Sequence, residues 1–171
     1  MRTVMGMGRP RAFGADRAVS TAAALFATHG YEGTSMDDLV AATGIRRGSI
    51  YKFFGSKRGL HLIALRNHLD HEIHPISAAI ATLTDPTQAL TAAIASYDNG
   101  PAAGLLLLAA AERAPRDPKV AALVAEGVTA LEGALRPTHG GAAPQLASAV
   151  LGARLRLRLR AQPTSPLLAW P

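Results

Sequence analysis

The sequence of 171 residues contains no cysteine, few aromatic residues and few charged ones. Without cysteine the chain has no disulfide, no thiolate nucleophile and no cysteine-ligated zinc site. Aromatic residues make up only 5% of the chain, whereas alanine and leucine are abundant and runs of β-branched residues are rare. This composition favours helices over sheet.

Long apolar runs are missing as well. The first eight residues lack the apolar core of a signal peptide, and the longest apolar stretch, residues 104–111, is far shorter than the roughly 20 residues that a membrane helix needs. We therefore expect a cytoplasmic protein with no membrane partner, and the absence of cysteine agrees with a reducing compartment.

The net charge of +6 is unevenly distributed along the chain. Residues 1–75 carry ten Lys/Arg against six Asp/Glu, residues 76–153 carry four against six, and residues 154–160 contain four arginines. A basic head before a mildly acidic body is typical of a protein whose head meets phosphate. The charge distribution alone supports this interpretation and a generic cationic surface equally well.

Apolar spacing and capping residues predict a succession of helices. The first runs from about residue 15 to Gly30, because apolar residues recur there at i, i+3, i+4 and i+7. A longer helix capped by Ser56 is predicted to end near Pro75. Turn residues delimit further helices, which we expect at about 85–98, 102–113, 117–135 and 145–160, with a loop at 137–144.

Two short helices joined by a glycine turn are predicted between these longer ones. Thr34 or Ser35 can cap the first short helix, and Gly44 ends it. The arrangement is typical of a helix-turn-helix, in which the second helix presents polar side chains to the major groove of DNA. We expect the apolar residues of the second helix to face inward, namely Ile50, Phe53 and Phe54.

Polar residues of the second short helix are candidate DNA contacts. Arg47 is the candidate for a base contact, because its guanidinium matches the two acceptors of guanine. Tyr51 can reach a phosphate through its hydroxyl, and Lys57 can bind a phosphate beside the N–H groups of a helix start. The same helix adds Arg46, Ser49 and Lys52. The alternative, a solvated surface on a small bundle, does not account for the glycine turn and the lysine together.

The stretch from Arg17 to Leu65 resembles the N-terminal domain of TetR-family regulators. The matching positions are Phe26, Gly30, Tyr31, Thr34, Gly44, Gly48, Tyr51, Phe54, Ser56, Lys57 and Leu60. The resemblance implies that the DNA face contains Arg47, Gly48, Ser49, Tyr51, Phe53 and Lys57, with Thr34 or Ser35 on a phosphate. Arg46 replaces a common Ser, and Arg58 replaces a common acid, so we expect Arg58 to add a phosphate contact.

The segment 104–124 resembles the AcrR-like branch of the same family. In that branch a Gly-Cys pair usually opens this helix, and Ala103-Gly104 in its place excludes a thiol switch there. The candidate ligand-binding residues are Leu105, Leu106 and Leu108, with ordinary core packing as the alternative. An apolar body favours a small apolar or aromatic effector over a charged one.

Three histidines, His68, His71 and His74, follow one another at intervals of three residues and raise the possibility of a metal site. They end the helix that links head and body, where polar residues commonly lie in solvent and histidine suits the helix C-terminus. We therefore expect no metal and no cofactor. No catalytic set of nucleophile, base and orienting residue is visible either.

The resemblance also implies a homodimer that pairs through two long terminal helices. Only one clear candidate, 145–160, is present, and the prolines at 163 and 166 cannot continue it. Within this segment arginine and leucine alternate with a period of two, which is compatible with a helix or with an unpartnered strand. We therefore expect a shortened pairing region.

Together these observations predict an all-α protein with a helix-turn-helix domain and a helical bundle. The predicted parts are a flexible basic arm (1–14), the DNA-binding domain (15–58, motif at about 34–53), a connecting helix (59–75), a sensing and dimerisation body (76–160) and an irregular tail (161–171). The predicted function is sequence-specific binding of a double-stranded operator by a repressor that a small effector releases. The alternative is a DNA-binding module whose truncated body neither senses nor dimerises stably, and an enzyme has the least support.

Overall fold

A computed structural model of the protein describes residues 10–161, with side chains from residue 15 to residue 158. All regular structure in this range is helical, which confirms the predicted all-α class. The predicted basic arm, as far as residue 9, and the tail from residue 162 lie outside the described residues. The helices are α1 (Pro10–His29), α2 (Met36–Thr43), α3 (Arg47–Phe54), α4 (Lys57–His68), α5 (His74–Ala81), α6 (Pro86–Ser96), α7 (Leu105–Glu112), α8 (Pro118–His139) and α9 (Ala143–Ala161).

Helices α1 to α4 form the head. α1 begins at Pro10, earlier than the apolar spacing predicts, and ends at Gly30, whose φ of +76° requires a residue without a Cβ. Its buried face packs against α2 and α4, and α3 packs on α4. The largest fully buried side chains of the head come from all four helices: Phe26, Leu39, Ile50, Leu60, His61 and Leu65.

The connection from head to body is a continuous helical rod that does not end near Pro75, as predicted, but runs on to Ala81. A five-residue π-helical turn, Leu69–Ile73, joins α4 to α5, and the N–H of His74 bonds to the carbonyl of Leu69, five residues back. Proline inside a regular helix removes a hydrogen bond and clashes with the preceding turn. The wider π turn directly before Pro75 accommodates the proline without ending the rod.

Helices α5 to α9 form the body around α8, which packs against α5, α6, α7 and α9. Gly127 lets α7 approach α8 closely, because a Cβ at this position would lie 2.8 Å from Cδ1 of Leu106. The buried Tyr97 donates its hydroxyl to the carbonyl of Gly127 at 2.6 Å. Of the helices described, none combines the length and apolarity needed to cross a bilayer.

The predicted loop at 137–144 is wrong. α8 continues through Pro137 to His139, a 3₁₀ turn occupies Gly140–Ala142, and α9 starts at Ala143. Pro137 lies in the last turn of α8, so only Thr138 and His139 follow the helical hydrogen bond that it cannot donate. The helices predicted at 117–135 and 145–160 are therefore α8 and α9, which follow each other with only the 3₁₀ turn between them. The segment with alternating arginine and leucine is helical as far as Ala161.

Candidate nucleic-acid interface

The helix-turn-helix is built by local signals at each end of α2 and α3. The hydroxyl of Ser35 accepts from the N–H of Asp38 at 3.1 Å, and the Asp38 carboxylate accepts from the N–H of Ser35 at 2.8 Å. This reciprocal capping box starts α2. Gly44, with φ +69°, ends it in the left-handed conformation, and Ile50 anchors α3 in the core. The turn and the buried Ile50 together determine which side of α3 faces outward.

The outward side of α3 and the start of α2 form one exposed surface, which we call the recognition face. Its members are Ser35, Arg46, Arg47, Gly48, Tyr51, Lys52 and Phe53, all exposed. The apolar spacing places Phe53 inward, and this is wrong, because Phe53 is 66% exposed while Ile50 is 1% exposed. The family resemblance had placed Phe53 on the DNA face instead. Phe54 is half-buried, and Ser49 is half-buried at the edge of the face.

Gly48 has no structural reason to be glycine within the described protein. It lies inside α3 with ordinary negative φ, and a Cβ added there would meet no protein atom within 4 Å. Glycine within a helix costs about 0.5–1 kcal/mol relative to alanine. Because Gly48 lies on the recognition face, its missing side chain leaves the backbone of α3 open to the outside at that point.

Arg47, the predicted base-contacting residue, forms an ion pair with Asp37 of α2. Both side chains are largely solvent-exposed, at 49% and 86%. Exposed pairs contribute little to folding and exchange partners readily. The guanidinium is therefore held at the recognition face and remains available to a ligand that displaces Asp37.

Two residues with predicted phosphate contacts, the buried Thr34 and the half-buried Lys57, form hydrogen bonds within the head. Thr34 is 1% exposed, and its hydroxyl donates to the carbonyl of Gly30 at 2.6 Å. The ammonium of Lys57 donates to the carbonyls of Tyr31 and Thr34, each at 2.9 Å, and lies 4.2 Å from the centre of the Tyr31 ring. Of the two alternatives, Thr34 and Ser35, only Ser35 presents a hydroxyl at the surface. Lys57 secures the turn before α2.

Arg58, which we expected to add a phosphate contact, is bonded to the body in this structure. Its Nε and Nη2 donate to the two carboxylate oxygens of Asp117 at 2.6 and 2.9 Å. Asp117 is 3% exposed and also caps α8 through the N–H groups of Lys119 and Val120. The Arg58 guanidinium holds the pKa of this carboxyl well below its usual range. An arginine in place of the family's common acid therefore joins head to body.

A second set of bonds between head and body involves the end of α7. The carboxylate of Glu112 accepts from the N–H groups of Tyr31 and Glu32 at 2.7 and 3.2 Å. A Cβ at Gly30 would lie 2.1 Å from this carboxylate and would displace it from these N–H groups. Arg113 lies 4.4 Å from the centre of the Tyr31 ring. We call these residues, together with Lys57, Arg58, His61 and Asp117, the domain contact.

His61 of α4 is buried at the centre of the domain contact. Its ring lies edge-on to Phe26, with centroids 4.9 Å apart, and against Tyr31 at 5.0 Å. Burial, with help from the positive charge of Arg113, lowers the pKa of His61 to about 4. The imidazole is therefore neutral at physiological pH. No sequence signal singled out this histidine.

The three spaced histidines do not converge. His68 is 2% exposed rather than solvated, and its Nε2 donates to Asp98 at 2.8 Å. His71 is exposed and bonds to the carbonyl of Asn67, whereas His74 bonds to Glu126 at 2.9 Å. Among the described residues no three potential ligands are grouped so that they could hold a metal ion.

The predicted ligand-binding leucines of α7 are largely core residues. Leu105 and Leu106 are 1% and 4% exposed and belong to the hydrophobic core, and Leu108 is half-buried. A cavity of about 410 Å³ lies beside the same helix, and the leucine of α7 that lines it is Leu107. Its charged lining comes from Asp98, Arg154 and Arg158, which the sequence analysis did not propose as site residues.

Comparison with known proteins identifies the head. The family described as "Bacterial regulatory proteins, tetR family" matches residues 18–62. Residues 18–62 form a TetR-family DNA-binding domain. A helix-turn-helix repressor of Escherichia coli, ComR, is 44% identical over 63 residues, which cover 37% of this chain and 30% of ComR. The activator FasR of Mycolicibacterium smegmatis is 32% identical over 76 residues, covering 44% of this chain and 35% of FasR.

Beyond the TetR-family domain, the likeness is one of fold. The matched segments span about a third of the length of these two relatives. The regulator CifR in complex with operator DNA superposes with a TM-score of 0.70 at 25% identity, over 90% of this chain and 91% of that one. A regulator from Saccharomonospora viridis gives 0.69 at 19% identity, over 89% and 88%. The proteins that this chain resembles are transcription regulators and not enzymes.

Proposed function

We propose that the protein is a sequence-specific transcriptional regulator that binds a double-stranded DNA operator through the recognition face. The observation that carries the proposal is the exposed side of α3, where Arg46, Arg47, Tyr51, Lys52 and Phe53 surround Gly48, at which an added Cβ would meet no described atom. Arginine and lysine provide base and phosphate contacts, and a helix of this size fits the major groove. Phe53 can pack against the methyl group of a thymine.

Regulation by an effector requires the body to bias the position of the head. The domain contact provides this connection, because Arg58 and Glu112 join the turn before α2 and the start of α4 to the α7–α8 corner. A change in the packing of α7 is then transmitted to the helix-turn-helix, which shifts the population of DNA-competent arrangements. We propose repression with release by a small effector. ComR is a repressor and FasR an activator, so a separate experiment must decide between repression and activation.

A homodimer is part of the same proposal. α8 and α9 are consecutive long helices at the end of the described chain, and α9 exposes Leu155, at 44%. Two heads held by such a pairing would read half-sites in successive major grooves, about 34 Å apart. The alternative of a truncated, non-sensing body is not favoured, because the likeness to CifR extends over both head and body. The AcrR-like branch stays a prediction.

The experiment is a binding measurement on DNA selected by the protein from a random library. Fluorescence anisotropy at two salt concentrations gives the affinity for the selected site and for an unrelated duplex. Arg47→Ala should weaken binding to the selected site by about ten- to a hundredfold, the value of one arginine–guanine contact. Arg116→Ala, an exposed arginine of the body, removes the same charge and should change affinity less than about threefold.

Two outcomes would contradict the proposal. One is that no sequence is enriched by a protein shown by light scattering to be a dimer. The other is that Arg47→Ala and Arg116→Ala weaken binding equally, which would reduce the interaction to unspecific attraction between charges. Reporter expression with the operator upstream then decides between repression and activation.

A further inference from the structure

The cavity beside α7 combines an apolar wall with buried charge. It has a volume of about 410 Å³ and lies between the loop after α6, the start of α7 and the last turns of α9. Ala103, Leu107 and Leu157 line its apolar side. A volume of this order accommodates a small organic molecule.

Asp98 lines the cavity, but both its oxygens are already bonded. One accepts from Nε2 of His68 at 2.8 Å and the other from the N–H of Gly104 at 3.0 Å. Asp98 is 2% exposed and has a φ of +50°, which holds the loop in a fixed conformation. This carboxylate therefore supports the wall of the cavity and cannot turn to another partner without leaving His68 or Gly104 unpaired.

Arg154 has no comparable partner. Its Nε and Nη2 are buried and form no hydrogen bond with any described residue. Burial lowers the pKa of Arg154, and the negative charge of Asp98 opposes this effect. A guanidinium remains charged in a protein, so donors buried without an acceptor are costly. The cavity thus holds a cation whose hydrogen bonds are unused.

Arg158, one turn further along α9, lies on the same side of the helix. Its Nη1 donates to the carbonyl of Ala103 at 3.3 Å and its Nη2 to the carbonyl of Thr28, in the last turn of α1, at 3.1 Å. Gly104 makes room for it, because a Cβ there would lie 2.6 Å from Nη1. Arg158 therefore connects the cavity to the TetR-family domain.

We propose that this cavity binds a small monocarboxylic acid with an apolar body, whose carboxylate is held by Arg154 and Arg158. Nε and Nη2 of Arg154 are covered by protein atoms, so a turn of the side chain is needed to bring them to a carboxylate in the cavity, whose two oxygens match the guanidinium fork. The hydrocarbon part packs on Leu107 and Leu157. The apolar composition of the body favours an apolar effector, and the two arginines change that expectation to an amphipathic acid.

The site also implies how the acid would act, and this second step rests on the proposed function. A carboxylate in the cavity competes with the carbonyl of Thr28 for the guanidinium of Arg158. A charged acceptor forms the stronger hydrogen bond. Occupancy therefore weakens the bond between α9 and α1 and favours arrangements in which the heads are displaced. The acid is expected to lower operator affinity by about tenfold, within the usual range of allosteric coupling.

Binding is tested first, without DNA, by isothermal titration of the purified protein with hexanoate and benzoate. The matched neutral probes are hexanol and hexanamide. We expect at least one acid to bind at millimolar concentration or below and the neutral probes to bind at least about tenfold more weakly. Equal binding of acid and alcohol, or no binding of either acid, overturns the proposal. Binding of inorganic phosphate alone overturns the assignment to a carboxylate.

Variants locate the site. Arg154→Gln should weaken binding of the acid by about ten- to a hundredfold, as expected for the loss of a charge-assisted bond. Arg156→Gln is the matched control, because Arg156 lies on α9 but is exposed and outside the cavity lining. The inference is wrong if both variants behave alike. The thermal melt of each variant confirms that it is folded.

Coupling is tested last, by anisotropy on the selected operator with and without the acid. Acid should reduce the affinity of the wild type and of Arg156→Gln but not that of Arg154→Gln. If operator binding fails without acid, the proposed function fails whatever the calorimetry shows. If the operator binds and the acid does not, the cavity assignment alone fails. If the acid binds and leaves operator affinity unchanged, the coupling through Arg158 is wrong.

Discussion

The recognition face and the domain contact are two surfaces of one small head, and both are rich in arginine and lysine. At the recognition face the cations are exposed, and the ion pair between Arg47 and Asp37 is open to solvent. At the domain contact the anion is buried, since Asp117 is 3% exposed and receives two donors from Arg58, whose own side chain is 43% exposed. Exposed pairs exchange partners at little cost, whereas a buried charge that loses its partner is strongly destabilising. The comparison separates cations available to a ligand from cations that hold the fold.

The largest effect should follow from removing the buried carboxylate of the domain contact. Asp117→Ala leaves Arg58 without its bidentate partner and α8 without its cap. Both losses destabilise, and we expect the melting temperature to fall by about 5–10 °C. Differential scanning calorimetry at neutral pH measures it. Asp37→Ala, which removes the carboxylate paired with Arg47, should change it by less than about 2 °C. Equal effects of the two variants would remove the distinction between the surfaces.

Protonation of His61 is expected to have a smaller effect on stability. His61 belongs to the domain contact, so this effect makes the domain contact sensitive to pH. The unfolded chain binds a proton at His61 near pH 6.5, whereas the folded chain does so only near pH 4. This depressed pKa means that the neutral histidine is tolerated above pH 6.5, and stability is lost as the pH falls from 6.5 towards 4. The loss amounts to about 2 kcal/mol at pH 5.

Urea denaturation at pH 7 and pH 5 tests this assignment. In His61→Leu the difference in unfolding free energy between the two pH values should shrink by about 2 kcal/mol, whatever the variant does to stability at pH 7. An unchanged difference would show that the acid sensitivity arises elsewhere. The His61 ring touches Phe26 and Tyr31, so comparing the two pH values within each variant separates lost packing from titration.

How far the head could be predicted depended on whether the signal was local. Ser35, Gly44 and Ser56 act within three or four residues, so the caps and turns of α2, α3 and α4 followed directly from the sequence. The bonds of Arg58 and Glu112 cross 59 and 81 positions of the chain. No local pattern reveals such partners, and Arg58 was therefore expected on DNA. Conversely, Phe53 fits the apolar spacing of α3 and was expected to face inward. It is exposed, because Ile50 is the residue by which α3 is buried in the core.

The body shows the same limit. The alternation of arginine and leucine was compatible with a helix or a strand, and the structure has a helix that exposes Leu155 and Leu157 and places Arg154 and Arg158 at the cavity. Arginines four residues apart share a helix face, so their spacing was visible. The sequence did not reveal which face of α9 is buried, because this depends on the packing of α9 against α6 and α8.

A substitution at Gly48 should change protein stability and operator affinity in opposite directions. Gly48→Ala should stabilise the protein by about 0.5–1 kcal/mol, because alanine favours the helix and the added Cβ meets no protein atom. Operator affinity should nevertheless fall at least about tenfold, since the methyl group occupies space that DNA requires. Gly133→Ala is a matched control, because Gly133 lies in α8 with equally open space around it. It should stabilise without affecting DNA binding; parallel behaviour of the two variants would contradict an approach of DNA to α3.

The smallest effect concerns the anion of the recognition face itself. Asp37 holds Arg47 in the free protein, but its own charge repels phosphate. Asp37→Asn should therefore tighten binding to unrelated DNA by about threefold at low salt, and the gain should vanish as salt screens the repulsion. Glu132→Gln removes the same charge from α8, away from the recognition face, and should change the affinity by less. If Asp37→Asn weakens binding instead, then Asp37 orients Arg47 for the operator, and even an exposed ion pair of this head would serve recognition.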